Sequence, residues 1–285
     1  DQSDIYVYED HSVPRWAGVI YRPVPTQSDG TLGLSDIRAE LQKVSAHGFR
    51  TKLLCIENPH NLCGGVVLSL EYLREVAGFV HAEGIGLHLD GARLFNAAAR
   101  LKVPPSEIAQ HADSVQFCLS KGLAAPVGSI LAGSSAFIDR ARIQRKMVGG
   151  NMRQAGIIAA AGLVALEQMT DRLDEDQANA WLLAQGLARI PGIQIDLSTV
   201  QTNTVVFQVT DPRFGSKSFI QAARRYGLYL GDFKRGRIRA VPHYGITIRD
   251  VQDALRIIGQ ILKPASREEP APDYANSMAE NSLTS

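Results

Sequence analysis

Apolar positions in the first half of the chain fall into short continuous runs separated by stretches of helical spacing. Lys52 to Glu57, Ile85 to Leu89 and Ser114 to Leu119 are the runs, each short and nearly uninterrupted, as expected of strands covered on both faces. Between them, Ser69 to Glu83 predicts a helix ended by Gly84, and Ser106 starts a shorter one. Strand, helix, strand, helix, strand at this spacing predicts a parallel sheet with right-handed crossovers. Upstream, Ile5 to Glu9 alternates and is rich in β-branched and aromatic residues, which predicts a strand or extended entry segment. Val19-Ile20-Tyr21, followed by Pro23 and Pro25, reads as a short strand leaving along the surface, and Gln27 to Gly30 as a turn. Ser35 is expected to cap a helix to about Ala46, with Leu34, Ile37, Leu41 and Val44 on one side.

Ala136 to Met147 predicts an arginine-rich helix. Ala155 to Leu166 is almost wholly apolar and reads as a buried one, and Asp171 to Ile190 as a long helix stopped before Pro191-Gly192. The pattern then changes. Strands at 193–196 and 203–209, a helix at 216–226, strands at 228–231 and 237–242 and a last helix capped by Thr247 predict a smaller α+β unit. After Lys263 the composition turns to Pro, Glu, Ser and Asn, that of a disordered tail. The expected division is a large α/β domain at 1–170, a small domain at 171–264 and a tail at 265–285.

Composition narrows the function classes. The 285 residues are 45% hydrophobic and carry a formal net charge of +1, which gives no support for a nucleic acid or an anionic membrane as partner. No apolar stretch is long enough for a membrane span, and Asp1-Gln2-Ser3-Asp4 has neither the basic region nor the apolar core of a signal peptide. Cys55, Cys63 and Cys118 are an odd number, against a disulfide framework and for a reducing, cytoplasmic compartment. The chain starts without methionine and at once with strand-like text, and so reads as a fragment or a truncated product.

Candidate chemistry lies where predicted strands end. Phe117 to Gly128 carries a strand into Ser120-Lys121 and then a small-residue loop closed by Pro126, a place where an α/β enzyme presents a reactive amine. His88-Leu89-Asp90-Gly91-Ala92-Arg93 ends the preceding strand in a carboxylate and an arginine, and His60 follows the strand before that. If Lys121 forms an imine with an aldehyde cofactor, Asp90 is placed to keep the cofactor's ring nitrogen protonated. Arg93 suits a substrate carboxylate, Ser120 a phosphate oxygen, and His60 an acid or base near a substrate hydroxyl. Each has an ordinary reading too: a surface lysine, a turn aspartate before glycine, an arginine in a surface ion pair, a turn-capping serine, a satisfied histidine. On three successive strand ends together, the chemical reading prevails. A metal site on Cys55, His60 and Cys63 has unusual spacing and no evident fourth ligand.

His88 to Asn96, Phe117 to Gly128 and Arg145 to Gly156 resemble the low-specificity L-threonine aldolases, in the β-eliminating lyase group of fold-type-I pyridoxal phosphate enzymes. The resemblance runs from about Ile5 to Lys263. It implies a fold-type-I large domain with a mostly parallel sheet, here N-terminally truncated, plus a small α+β domain. It implies Lys121 as the cofactor's lysine, Asp90 as the ring-nitrogen partner, and Arg93 and Arg239 as holders of the substrate carboxylate. His60 matches the histidine near the substrate hydroxyl, with a water held there as the expected base. Lys146 and Arg153 match residues reaching the cofactor phosphate of a neighbouring subunit, in a family that is typically tetrameric. The implied activity is retro-aldol cleavage of L-threonine or L-allo-threonine to glycine and acetaldehyde, serving threonine catabolism and glycine formation.

The chain departs from that pattern in places. The family's N-terminal segment, with its phosphate-binding loop and an early serine for the substrate carboxylate, has no counterpart here. Asp4 stands where the family has a ring-stacking histidine, Ala124 and Asn151 where it has glycines, and Pro59 where threonine is usual. An alanine at a position needing positive φ is strained, whereas asparagine tolerates it. These departures set out the alternative expectation, a catalytically inactive relative acting as a structural subunit.

Overall fold

The computed structural model describes residues 1–41 and 50–263. In chain order it runs α1 (Asp4–Val7), α2 (Ser12–Ala17), α3 (Leu34–Glu40), β1 (Leu53–Glu57), α4 (Leu70–Ala82), β2 (Gly86–Asp90), α5 (Leu94–Leu101), α6 (Pro105–Ala109), β3 (Ser114–Cys118) and β4 (Ser129–Gly133). There follow α7 (Ser135–Met147), α8 (Gly156–Gln168), α9 (Leu173–Leu187), β5 (Ile193–Ile195), β6 (Val205–Val209), α10 (Ser216–Arg225), β7 (Gly231–Phe233), β8 (Arg237–Ala240) and α11 (Ile248–Leu262).

The architecture is α/β, with two sheets. The first has the order β1-β2-β3-β4: β1 to β3 are parallel and β4 closes the edge antiparallel, so the sheet is mixed and mostly parallel. Leu87 and Leu89 of β2 are fully buried in one core with Val76 and Val80 of α4 and Ala97 of α5. The hydroxyl oxygen of Ser69 accepts the Tyr72 N–H to start α4, and Gly84, at φ +69°, takes the left-handed turn that ends it. The second sheet, β5-β6-β8-β7, is antiparallel throughout and buries Phe207 and Ile238 against Phe219 of α10 and Ile258 of α11. Thr247 and Asp250 form the reciprocal cap that begins α11. Among the described residues no helix is long and apolar enough to cross a membrane.

Several expectations need correction. Residues 5–9 form a helical turn and bend, not a strand: the Ser3 carbonyl accepts from both Tyr6 and Val7, and among the described residues no strand pairs with them. Val19 to Tyr21 belongs to no strand among the described residues, and Ile20 is 83% exposed. α3 begins one residue before Ser35, on Gly33 and without a side-chain cap; Val44 and Ala46 fall outside the described residues. Of the two short strands placed after α10, the first lies at β7, later than 228–231. β4 and α5 were not foreseen, because Gly128 and Gly91 made their surroundings read as loop. α8 is a helix as expected but not a buried one: only Gly162 and Ala165 are buried, and Ile157 is 79% exposed. The tail beyond Lys263 lies outside the described residues.

Ala124 does sit at φ +58°. The left-handed region costs a residue with a Cβ about 1–2 kcal/mol, offset in part by the ~0.5–1 kcal/mol of extra chain entropy that glycine loses on folding. Ala124→Gly is therefore expected to raise stability by up to about 1 kcal/mol, read as an increased urea midpoint at unchanged slope. Asn151 is not among the positive-φ positions.

Candidate active site

Side chains on a strand alternate between faces, so residues two apart share one. On β2 this puts His88 and Asp90 on the same side. The register aligns Glu57 of β1 with Asp90, and Asp90 with Gln116 of β3, a polar row across three adjacent strands at their carboxyl ends. All three line a cavity of about 390 Å³, together with Lys121 from the turn after β3, His88, Cys55, Cys118 and, from the N-terminal turn, Asp4 and Glu9. Open parallel sheets place their ligand sites at such strand ends.

Asp90 is held by one of its oxygens. Its Oδ1 accepts from Gln116 Nε2 at 2.6 Å and from the Ala92 N–H at 3.1 Å, and Oδ2 takes no hydrogen bond among the described residues. Lys121 follows Leu119, which is tied by its N–H to the Gly128 carbonyl and by its carbonyl to the Ala125 N–H. That double tie fixes the turn and presents the lysine, whose amine makes no hydrogen bond or ion pair among the described residues, to the cavity. A cavity holding a free amine and a carboxylate with an open oxygen fits the donor set that pyridoxal phosphate requires.

The two substrate arginines of the sequence reading come from different elements, Arg239 from β8 of the second sheet and Arg93 from the start of α5 after β2, and neither lines the cavity. Arg239, on β8, donates from Nη1 to Asn61 Oδ1 at 2.7 Å, and its guanidinium lies over the Phe233 ring. Arg93 precedes α5, and its guanidinium makes no hydrogen bond or ion pair among the described residues. Burial lowers its pKa from the ordinary value, and the positive charge of Arg239 lowers it further. Two cations repelling each other in a partly buried place suit a bidentate anion such as a carboxylate.

His60 is placed differently. It is 1% exposed, lies outside the lining of the cavity, and neither ring nitrogen has a hydrogen-bond partner. Burial lowers its pKa to about 4, so it stays neutral across the physiological range. Ser120 is exposed and donates to the Gly128 carbonyl at 3.5 Å, while Lys146 and Arg153 are exposed near the end of α7 and before α8. None of the three lines the cavity.

Two residues of the site had no role in the sequence reading. Gln116 was not distinguishable from any polar residue in a strand; only the register shows it facing Asp90. Glu57 is 4% exposed, and its carboxyl accepts the Asp4 N–H on Oε2 and the Asn61 N–H on Oε1, both at 2.7 Å. Burial, and then the charge of Asp4, raise its pKa to about 8. Asn61 completes the cluster by donating from Nδ2 to Asp4 at 3.0 Å while accepting from Arg239. In the Glu57-Asn58-Pro59-His60-Asn61 segment the sequence marks His60 and Pro59, and nothing in it distinguishes Glu57.

Comparison with known proteins adds a family. A family model described as beta-eliminating lyase matches residues 1–211. Low-specificity L-threonine aldolase 1 of Arabidopsis thaliana is 39% identical over 274 residues, covering 95% of this chain and 76% of the relative. Among solved structures, a threonine aldolase of Leishmania major superposes with a TM-score of 0.72 at 18% identity, covering 91% of this chain and 75% of that one. A PLP-dependent aminotransferase from Streptococcus suis superposes with a TM-score of 0.66 at 19% identity, covering 86% and 65%. The likenesses in structure establish the fold-type-I architecture, and none of these names supports an inactive structural subunit.

Proposed function

The chain belongs to the beta-eliminating lyase family, and from that premise we propose that it is a pyridoxal phosphate-dependent carbon–carbon lyase, a threonine aldolase cleaving L-threonine or L-allo-threonine to glycine and acetaldehyde. The observation that carries this reading is the single cavity shared by Lys121 and Asp90. When bound, pyridoxal phosphate supplies an electron sink for the pair left at Cα when a bond there breaks. Lys121 offers the amine that holds the cofactor's aldehyde carbon. Asp90, through its open Oδ2, keeps a proton on the ring nitrogen, and Gln116 fixes the angle at which it does so. Arg93 and Arg239 take the substrate carboxylate and thereby set which bond at Cα stands ready to break. His60 is the sequence-based candidate near the substrate hydroxyl. Ser120 is the candidate for a phosphate oxygen, with Lys146 and Arg153 reserved for the phosphate of a neighbouring copy.

The test is acetaldehyde release from L-threonine and L-allo-threonine by the purified chain with added cofactor. Saturable release that depends on the cofactor supports the reading; none from folded, cofactor-loaded protein sinks it. The products place the enzyme in threonine consumption and glycine supply, and three unpaired cysteines fit a cytoplasmic setting.

The assembly belongs to the same proposal. Ile157, Leu163 and Val164 of α8, with Met147 and Val148 at the end of α7, expose large apolar side chains. A homotetramer that covers this face accounts for them. Light scattering is expected to give about four times the 31.0 kDa chain mass, falling in Ile157→Asp. A monomeric wild-type chain would refute it.

A further inference from the structure

Resting on the aldolase reading, we propose that Glu57 is the group that takes the proton from the substrate's β-hydroxyl. Its position argues for this first. Glu57 lines the cavity that contains Lys121, at the end of β1 and in register with Asp90 one strand away. Arg93 and Arg239 lie outside the lining, so Lys121 and Asp90 set the position: a substrate joined through Lys121's cofactor lies over this polar row, with its β-carbon beside the Glu57 end or the Gln116 end. Gln116 has no acid–base chemistry. Asp90 is committed through Gln116 and Ala92 to the ring-nitrogen position. His88 lies one pleat deeper and is bonded through Nδ1 to the Ser114 hydroxyl. His60 lies outside the lining altogether.

The surroundings of Glu57 supply the rest. The charged and titratable groups acting on it are Asp4 from α1 and Tyr8 just after it, Cys63 from the loop after β1, Asp90 from β2, and Arg93 before α5. Each carboxyl oxygen receives one backbone N–H and keeps a second lone pair. Burial and Asp4 together make the ionised form a stronger proton acceptor than a solvated carboxylate, with a pKa of about 8 that suits a base working at neutral to mildly alkaline pH. In the step itself, the hydroxyl proton passes to a Glu57 oxygen and the O–H pair becomes the second C–O bond of the departing aldehyde. The Cα–Cβ bond breaks, and its pair stays with the glycine fragment, whose Cα afterwards regains a proton.

The experiment separates this step from all others by using glycine, which has no hydroxyl. Cofactor-dependent exchange of glycine's α-proton with deuterated solvent, followed by NMR, needs the site but not the hydroxyl base. Glu57→Gln is expected to lose threonine cleavage by about 10²–10⁴-fold while glycine exchange stays within about 3-fold. Glu57→Asp is expected to restore part of the cleavage and to move the alkaline rise of its pH profile, which in the wild type follows ionisation near pH 8. The unliganded chain offers an independent readout. A carboxyl raised in the folded state contributes stability present in full below its unfolded pKa and lost as pH rises through about 8. That loss is expected in wild-type thermal melts and absent from Glu57→Gln. Full cleavage by Glu57→Gln, or equal loss of cleavage and glycine exchange, overturns the assignment while leaving the aldolase reading intact. A wild-type chain that exchanges glycine but cleaves neither threonine overturns both.

Discussion

Lys121→Ala is expected to give a folded protein to which borohydride fixes no pyridoxal phosphate, and whose release of acetaldehyde from L-threonine falls by roughly 10⁴-fold or more, the scale seen on removing a covalent nucleophile. Folding is expected to survive because the turn is built by backbone. Lys121 contributes its carbonyl, which accepts the Ala124 N–H at 3.0 Å, and Leu119 is held on both sides by Gly128 and Ala125. The lysine side chain is only half-buried and supports no hydrogen bond among the described residues. In the wild type, peptide mapping after reduction is expected to find the cofactor mass on the Lys121 peptide. Finding it on another lysine would remove Lys121 from its role without touching the fold.

Asp90→Asn tests charge at constant shape. The amide oxygen still accepts from Gln116 and Ala92, so the β2 end keeps its geometry. What is lost is the negative charge able to hold a proton on a ring nitrogen in the cavity. Cleavage is expected to drop by about 10²–10³-fold or more, the range for removing one oriented polar group at a reacting centre. The bound cofactor's absorption is expected to titrate at lower pH than in the wild type, since the protonated ring no longer has its counter-charge. Wild-type rates together with an unmoved titration would show that Asp90 is an ordinary turn residue before Gly91.

Continuous apolar runs and helix caps made the first sheet legible. β1, β2 and β3 lie within a residue or so of their expected places, as do α4 and the start of α11, because continuous apolar runs and capping by Ser69 or Thr247 are local properties of the text; α9 is shorter than its expected 171–190 at both ends. The failures share a cause. Residues 5–9 carry a strand-like alternation, but a strand needs a neighbour, and the Glu57 carboxyl instead captures the Asp4 N–H and holds a helical turn over the cavity. α8 is apolar enough to be buried, yet most of its surface faces out of the single chain. Hydrophobicity reports that a face will be covered, and not by what.

The same division runs through the site. Ser120-Lys121 ahead of a small-residue loop, and Asp90 at a strand end, are short-range patterns with chemical meaning, so the amine and counter-charge proposed for the cofactor are candidates that one dimension already offers. Bringing Arg239 of β8 toward Arg93 at the start of α5 bridges a long sequence separation and needs the packing of β8, which no local pattern encodes. Whether a histidine reaches a cavity is also a matter of side-chain direction and burial. His60 and Glu57 sit three residues apart on the same loop approach, and only the folded chain shows the glutamate lining the cavity and the histidine outside it. Residue type and spacing follow from covalent order and select the reaction class. Proximity, dielectric and proton affinity follow from the fold, which decides which of those residues can take part.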